Sequence, residues 1–144
     1  MRAAQILVVD DNADDRRFAS EALAAGALRS EVSTAEDGDD ALALLRREGR
    51  YATAPRPDLI LLDLHMPGKS GFDVLAEIRR DPGLRAIPVI VLSGSTDAGD
   101  VRSSYDGCAS SYIAKPADLD AYDAVVAAIE QFWLTTASLP GPAP

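Results

Sequence analysis

The chain reads as short apolar blocks set between polar, periodic stretches. Three runs, Ile6-Leu7-Val8-Val9, Leu59-Ile60-Leu61-Leu62 and Val89-Ile90-Val91-Leu92, and a weaker one, Tyr112-Ile113-Ala114, are apolar without alternation. Continuous Val, Ile and Leu suit strands of a sheet covered on both faces. Glu31-Val32-Ser33-Thr34 alternates instead, which predicts an edge strand. Between these runs, residues 13–25, 38–48, 71–80, 97–106 and 118–134 place apolar side chains at i, i+3 or i+4, the spacing of half-buried helices. The last is the clearest, with Leu119, Tyr122, Val126, Ile129 and Trp133 on one stripe. Strands alternating with helices predict an α/β fold, a doubly wound (βα)5 chain. Its five-stranded sheet is parallel, with right-handed crossovers and helices on both faces. Residues 48–57 read as a surface loop, and 135–144, rich in Pro and Gly, as a tail that cannot continue a helix.

Composition narrows the function classes. At 144 residues and 47% hydrophobic the chain makes one domain with a real core, and a second has no room. Fourteen Lys and Arg against twenty-three Asp and Glu give a net charge of −9, which argues against binding nucleic acid through its phosphates. The apolar stretch after Met1-Arg2-Ala3-Ala4-Gln5 is too short for a signal peptide or a membrane span, so a cytoplasmic location is expected. Cys108 is the lone cysteine and His65 the lone histidine, which leaves neither a disulfide nor a zinc cluster. Any metal would be held by oxygen.

Each buried run ends in a polar residue: Asp10 and Asp11, then Asp63, Ser93 and Lys115. The carboxyl ends of parallel strands share one edge, so these residues converge on one crevice. Closely packed carboxylates repel unless a cation neutralises them, and a hard divalent ion with oxygen ligands does so. Mg²⁺ fits, with Ca²⁺ or Mn²⁺ open on ligand type alone. A carboxylate beside such an ion, a lysine and a hydroxyl can also accept a phosphoryl group, which makes Asp63 the candidate aspartyl phosphate. Taken singly, acids at strand ends are more often helix caps, and Lys115 before Pro116 is an ordinary turn lysine. The joint pattern is what favours chemistry. The competing string Gly68-Lys69-Ser70 is not a phosphate-binding P-loop, because Asp63 stands where its first glycine must be. Ser70 reads better as a helix cap with Asp73 three residues on.

Val9-Asp10-Asp11-Asn12, Leu62-Asp63-Leu64-His65-Met66-Pro67 with Gly71, Ile87 to Ser93, and Tyr112-Ile113-Ala114-Lys115-Pro116 together resemble the receiver domain of two-component response regulators. The resemblance implies a receiver over 1–134, a tail over 135–144, and a flavodoxin-like fold of strand order 2-1-3-4-5. It implies a sensor histidine kinase as phosphoryl donor to a signalling protein rather than an enzyme with an outside substrate. Asp63 matches the phosphoacceptor, and Asp10, Asp11, Asp63 and the His65 main-chain carbonyl match the Mg²⁺ site. Ser93 matches the hydroxyl that moves to the phosphoryl group, Lys115 the phosphate-binding cation and Tyr112 the aromatic switch. His65 and Ser95 match positions that tune dephosphorylation. The Lys115–Pro116 bond is typically cis in this family.

Ser104-Tyr105-Asp106, the segment Ala128 to Leu134 and Leu139-Pro140 further resemble the small regulators that pair with phytochrome photoreceptor kinases. That resemblance, with Val125 and Phe132 seven apart on a flank of the last helix, leads us to expect a homodimer through this helix and the tail. The downstream protein is not legible. Two departures stand out: Cys108 where the family often has Gly, and Gly94 where it often has Ala. A haloacid-dehalogenase-like phosphatase is the rival reading, but it needs a second Asp where His65 stands. A receiver-shaped module that no longer phosphorylates is the other alternative.

Overall fold

The computed structural model describes residues 3–141. Five strands and five α-helices alternate: β1 Ala4–Val9, α1 Ala13–Ala25, β2 Ser30–Ala35, α2 Gly38–Leu45, β3 Leu59–Leu62, α3 Gly71–Arg80, β4 Val89–Ser93, α4 Ala98–Asp106, β5 Ser111–Ala114 and α5 Leu119–Ile129. All neighbouring strands pair in parallel, in the order β2-β1-β3-β4-β5. The flavodoxin-like topology expected from the sequence is thus present.

Because successive strand side chains point to opposite faces, each apolar run supplies two cores. Leu7, Val9, Ile60, Leu62, Val89 and Val91 pack on one side against α2 and α3, through Ala41, Leu42, Val74, Leu75 and Ile78. Ile6, Val8, Leu59, Leu61, Ile90 and Leu92 pack on the other against Ala19, Ala22 and Leu23 of α1 and Tyr122, Val126 and Ile129 of α5.

Polar side chains start the helices. Asn12, Asp37, Asp97 and Asp118 each accept a backbone N–H in the first turn of α1, α2, α4 and α5. Ser70 and Asp73 form the expected reciprocal capping box at α3.

Three boundaries differ from the sequence pattern. α2 stops at Leu45 rather than 48 because Arg47 turns left-handed (φ 56°), with Arg47 N–H donating to Leu44 O and Glu48 N–H to Ala43 O. This is a Schellman close made without glycine. Gly49–Tyr51 then adds a 3-10 turn inside the expected loop. At the C-terminal end, α5 passes into a π-helical segment, Glu130–Thr136, so winding runs two residues into the expected tail.

The face of α5 also needs correction. Leu119 is 40% exposed and does not face the sheet, whereas Val125 packs against the α1/α5 core. Phe132 is 53% exposed and meets Trp133 edge-on at 5.2 Å. Leu139 borders a shallow cleft of its own chain with Ala3, Trp133 and Leu134. Buried Glu130 turns back to accept Leu28 N–H at 3.2 Å, which fastens the start of the π segment to the α1–β2 turn. No helix among the described residues is long and apolar enough to cross a membrane.

Candidate functional site

At the carboxyl edge of the sheet the chain leaves β1 at Asp10 and Asp11, β3 at Asp63 and β5 at Lys115, while Ser93 closes β4. Carboxylate oxygens of Asp10, Asp11 and Asp63 lie within 4.8 Å of one another. Asp10 and Asp63 are buried and Asp11 is exposed. Lys115 Nζ reaches in from β5 to 2.9 Å from Asp10 Oδ2 and 3.5 Å from Asp63 Oδ2. A cleft of about 420 Å³ opens over this group, lined by Asp11, Asp15, Asp63, His65, Ser93 and Ser95 among others.

Backbone packing fixes Asp63. Its N–H donates to Val9 O at 2.9 Å, which carries it on the β1 ladder, and its Oδ1 accepts Leu64 N–H at 2.9 Å. The Gly71 N–H donates to Leu64 O at 2.8 Å. A β-carbon at Gly71 would press on the Asp63 carbonyl and on Leu64 Cα, so α3 can start this close to Asp63 only with glycine.

The acids are electrostatically crowded. Burial, and then repulsion from Asp10, push the Asp63 carboxyl up to about 6. Burial also raises Asp10 against the opposing pull of the Asn12 N–H and Lys115. Lys115 is held well above the usual lysine range by hydrogen bonds to Asp10 and Asp15, which outweigh its own burial. One ammonium is therefore shared among several carboxylates. A hard-oxygen donor set with that unmet need for positive charge fits a divalent cation.

Asp15 is the member that the sequence pattern missed. Its Oδ2 accepts Lys115 Nζ at 2.9 Å and its Oδ1 accepts the Tyr122 hydroxyl at 3.0 Å. An acid in the first turn of a helix is commonplace, so its position gave no warning. The signal available was Tyr122 on the apolar stripe of α5, since a buried phenol needs an acceptor.

Ser93 is fully buried and its Oγ accepts Ser95 N–H at 3.2 Å. Tyr112 does not line the cleft; its hydroxyl donates to Ser95 O at 2.7 Å, so it grips the loop that follows Ser93. His65 and Ser95 both line the cleft, and both reach Asp100 on α4. No peptide bond among the described residues is cis, contrary to the expectation for Lys115–Pro116. Trans is the favoured isomer by about 0.5–1 kcal/mol. Lys115 is instead placed by its N–H, which donates to Ser93 O at 2.7 Å. Cys108, in the family's glycine position, has φ 69°.

Residues 6–127 match the sequence model of the response regulator receiver domain. The chain belongs to the response regulator receiver family. This receiver is 42% identical to response regulator Rcp1 of Synechocystis over 94% of its own length and 92% of that protein. It superposes on the crystal structure of the phosphorylated cyanobacterial phytochrome response regulator RcpA with a TM-score of 0.92 at 50% identity, covering 97% of this chain and all of that one. The Mn²⁺-bound form of Rcp1 matches at a TM-score of 0.88 and 41% identity, over 96% of this chain and 99% of that one. The receiver is thus a two-component signalling protein similar to phytochrome-associated regulators, and the phosphatase rival loses its basis.

Proposed function

We propose that this receiver accepts a phosphoryl group from a sensor histidine kinase of the phytochrome type onto Asp63. The observation that carries this is the Asp63 carboxylate, buried at the end of β3 and open to the cleft, 3.5 Å from Lys115 Nζ. An Asp63 carboxylate oxygen bonds phosphorus as the phosphorus–nitrogen bond to the kinase's phosphohistidine breaks, and the kinase imidazole leaves with the electron pair and takes up a proton. Lys115 is placed to balance charge on the incoming phosphoryl oxygens, which it can do by loosening its hold on Asp10. Mg²⁺ would be held by Asp10, Asp11, Asp63 and the His65 main-chain carbonyl and would supply further positive charge to those oxygens. The receiver then catalyses its own phosphotransfer and later dephosphorylation, with His65 and Ser95 tuning the latter.

Ser93 and Tyr112 form the output switch. Ser93 Oγ leaves Ser95 N–H to bond the phosphoryl group, which frees the loop that Tyr112 holds and lets the ring move. The receiver unit spans 1–134 and the tail 135–144, in the cytoplasm, without nucleic acid as a partner. Two copies associate through the outer face of α5 and the following segment, where Phe132 is the exposed aromatic anchor. The switch reaches a downstream protein across a contact surface. Phosphotransfer from each histidine kinase of the source genome, in light and in darkness, tests the assignment. Transfer from a photoreceptor kinase, changed by light, is expected, and transfer only from kinases that do not respond to light would overturn the phytochrome pairing.

A further inference from the structure

Two loops at the rim of the acid cleft are fastened to one carboxylate oxygen. Asp100, in the first turn of α4, has its Oδ2 2.7 Å from His65 Nε2 and 2.7 Å from Ser95 Oγ. His65 lies two residues past Asp63 and Ser95 two past Ser93, so the tie joins the exits of β3 and β4. A carboxylate oxygen accepts, so Ser95 Oγ and His65 Nε2 are the donors of this tie. His65 Nε2 must therefore carry the hydrogen. The rest of the environment is already committed. Ser95 Oγ accepts Asp97 N–H at 3.2 Å, Ser95 O accepts the Tyr112 hydroxyl, and the His65 ring packs edge-on against Phe72 at 6.1 Å. Asp100 itself is anchored to its helix, where its carbonyl accepts the buried Ser104 hydroxyl at 2.8 Å.

Asp63 is buried and opens to the cleft that His65 and Ser95 help to line. Hydrolysis of an aspartyl phosphate requires a water oxygen to bond phosphorus as the bond from phosphorus to the Asp63 oxygen breaks. Asp63 leaves as carboxylate, and the water protons pass to the phosphate and to solvent. We propose that Asp100 is a positioning residue for this step: by clasping His65 and Ser95 together at the rim it restricts the approach of water and lengthens the life of the phosphoryl group. The proposal rests on Asp63 being the phosphoacceptor.

The test is the decay of protein phosphorylated with acetyl phosphate and Mg²⁺, then desalted and followed by intact mass. Asp100→Ala is expected to decay about fivefold to thirtyfold faster, the factors that one and two lost hydrogen bonds carry in a rate, since the variant removes both. The His65→Ala/Ser95→Ala double variant should behave likewise. Adding Asp100→Ala to that double variant should change nothing, because no clasped groups remain, whereas general loosening of α4 would add its own factor. Decay in Asp100→Ala that is unchanged or slower, or a further acceleration in the triple variant, overturns the clasp. A parent that takes no phosphoryl group, or an Asp63→Asn control that still takes one, overturns the phosphoacceptor reading instead. A parent labelled at Asp63 whose decay ignores Asp100 removes the clasp alone.

Discussion

Replacing Asp63 by Asn should stabilise the metal-free protein at neutral pH while removing its chemistry. The folded chain pushes this carboxyl from its ordinary 3.8 up to about 6, first through burial and then through repulsion by Asp10. An acid whose proton affinity rises on folding penalises the folded state when ionised. The penalty is full above about pH 6, shrinks as pH falls and is gone below the ordinary value near 3.8. At about 1.4 kcal/mol per tenfold change in proton affinity, the full penalty is about 3 kcal/mol, and local relaxation reduces it to roughly 1–3 kcal/mol. Asn keeps the shape and an acceptor for the Leu64 N–H, and Lys115 keeps Asp10 and Asp15. In chelator at pH 7.5 the variant should melt roughly 4–8 °C above the parent, with the gap closing toward pH 4. Millimolar Mg²⁺ should then raise the parent more than the variant, because the cation binds the folded cluster that still holds its charge. Equal melting temperatures in chelator across pH 4–8, or a variant that melts lower at pH 7.5, would refute the claim that ionised Asp63 is held under strain.

Three other substitutions probe separate parts of the structure. Gly71→Ala should cost about 1–3 kcal/mol in urea denaturation, because the new methyl presses on the Asp63 carbonyl and Leu64 backbone; a neutral result would contradict that contact. Cys108→Gly should gain roughly 0.5–1 kcal/mol, since φ 69° is strained for any side chain, and a loss of stability would count against strain there. Phe132→Asp should give a monomer by light scattering while leaving phosphorylation intact, and a parent already monomeric at high micromolar concentration would dispose of the dimer.

The strands were legible because both-sided burial leaves runs such as Leu59 to Leu62 with no polar residue to confuse the reading. The strand-end residues were legible because parallel topology alone brings Asp10, Asp63 and Lys115 to one edge. What failed was whatever depends on tertiary direction. Periodicity put Leu119 and Val125 on neighbouring faces of α5 but could not say which one the sheet would cover. The early stop of α2 rests on a left-handed Arg47, a conformation that glycine or asparagine would have advertised and arginine hides. Asp15 and Asp100 both read as ordinary first-turn acids, because their partners Lys115, Tyr122, His65 and Ser95 come from other elements.

The most direct measurement is peptide mapping of the protein after exposure to acetyl phosphate and Mg²⁺, with borohydride reduction to mark the acyl phosphate. A single modified residue, Asp63, is expected in the parent, with no modification in Asp63→Asn. Modification at another carboxylate, or undiminished modification of the Asp63→Asn protein, would contradict the assignment of the buried β3 carboxylate as the phosphoacceptor.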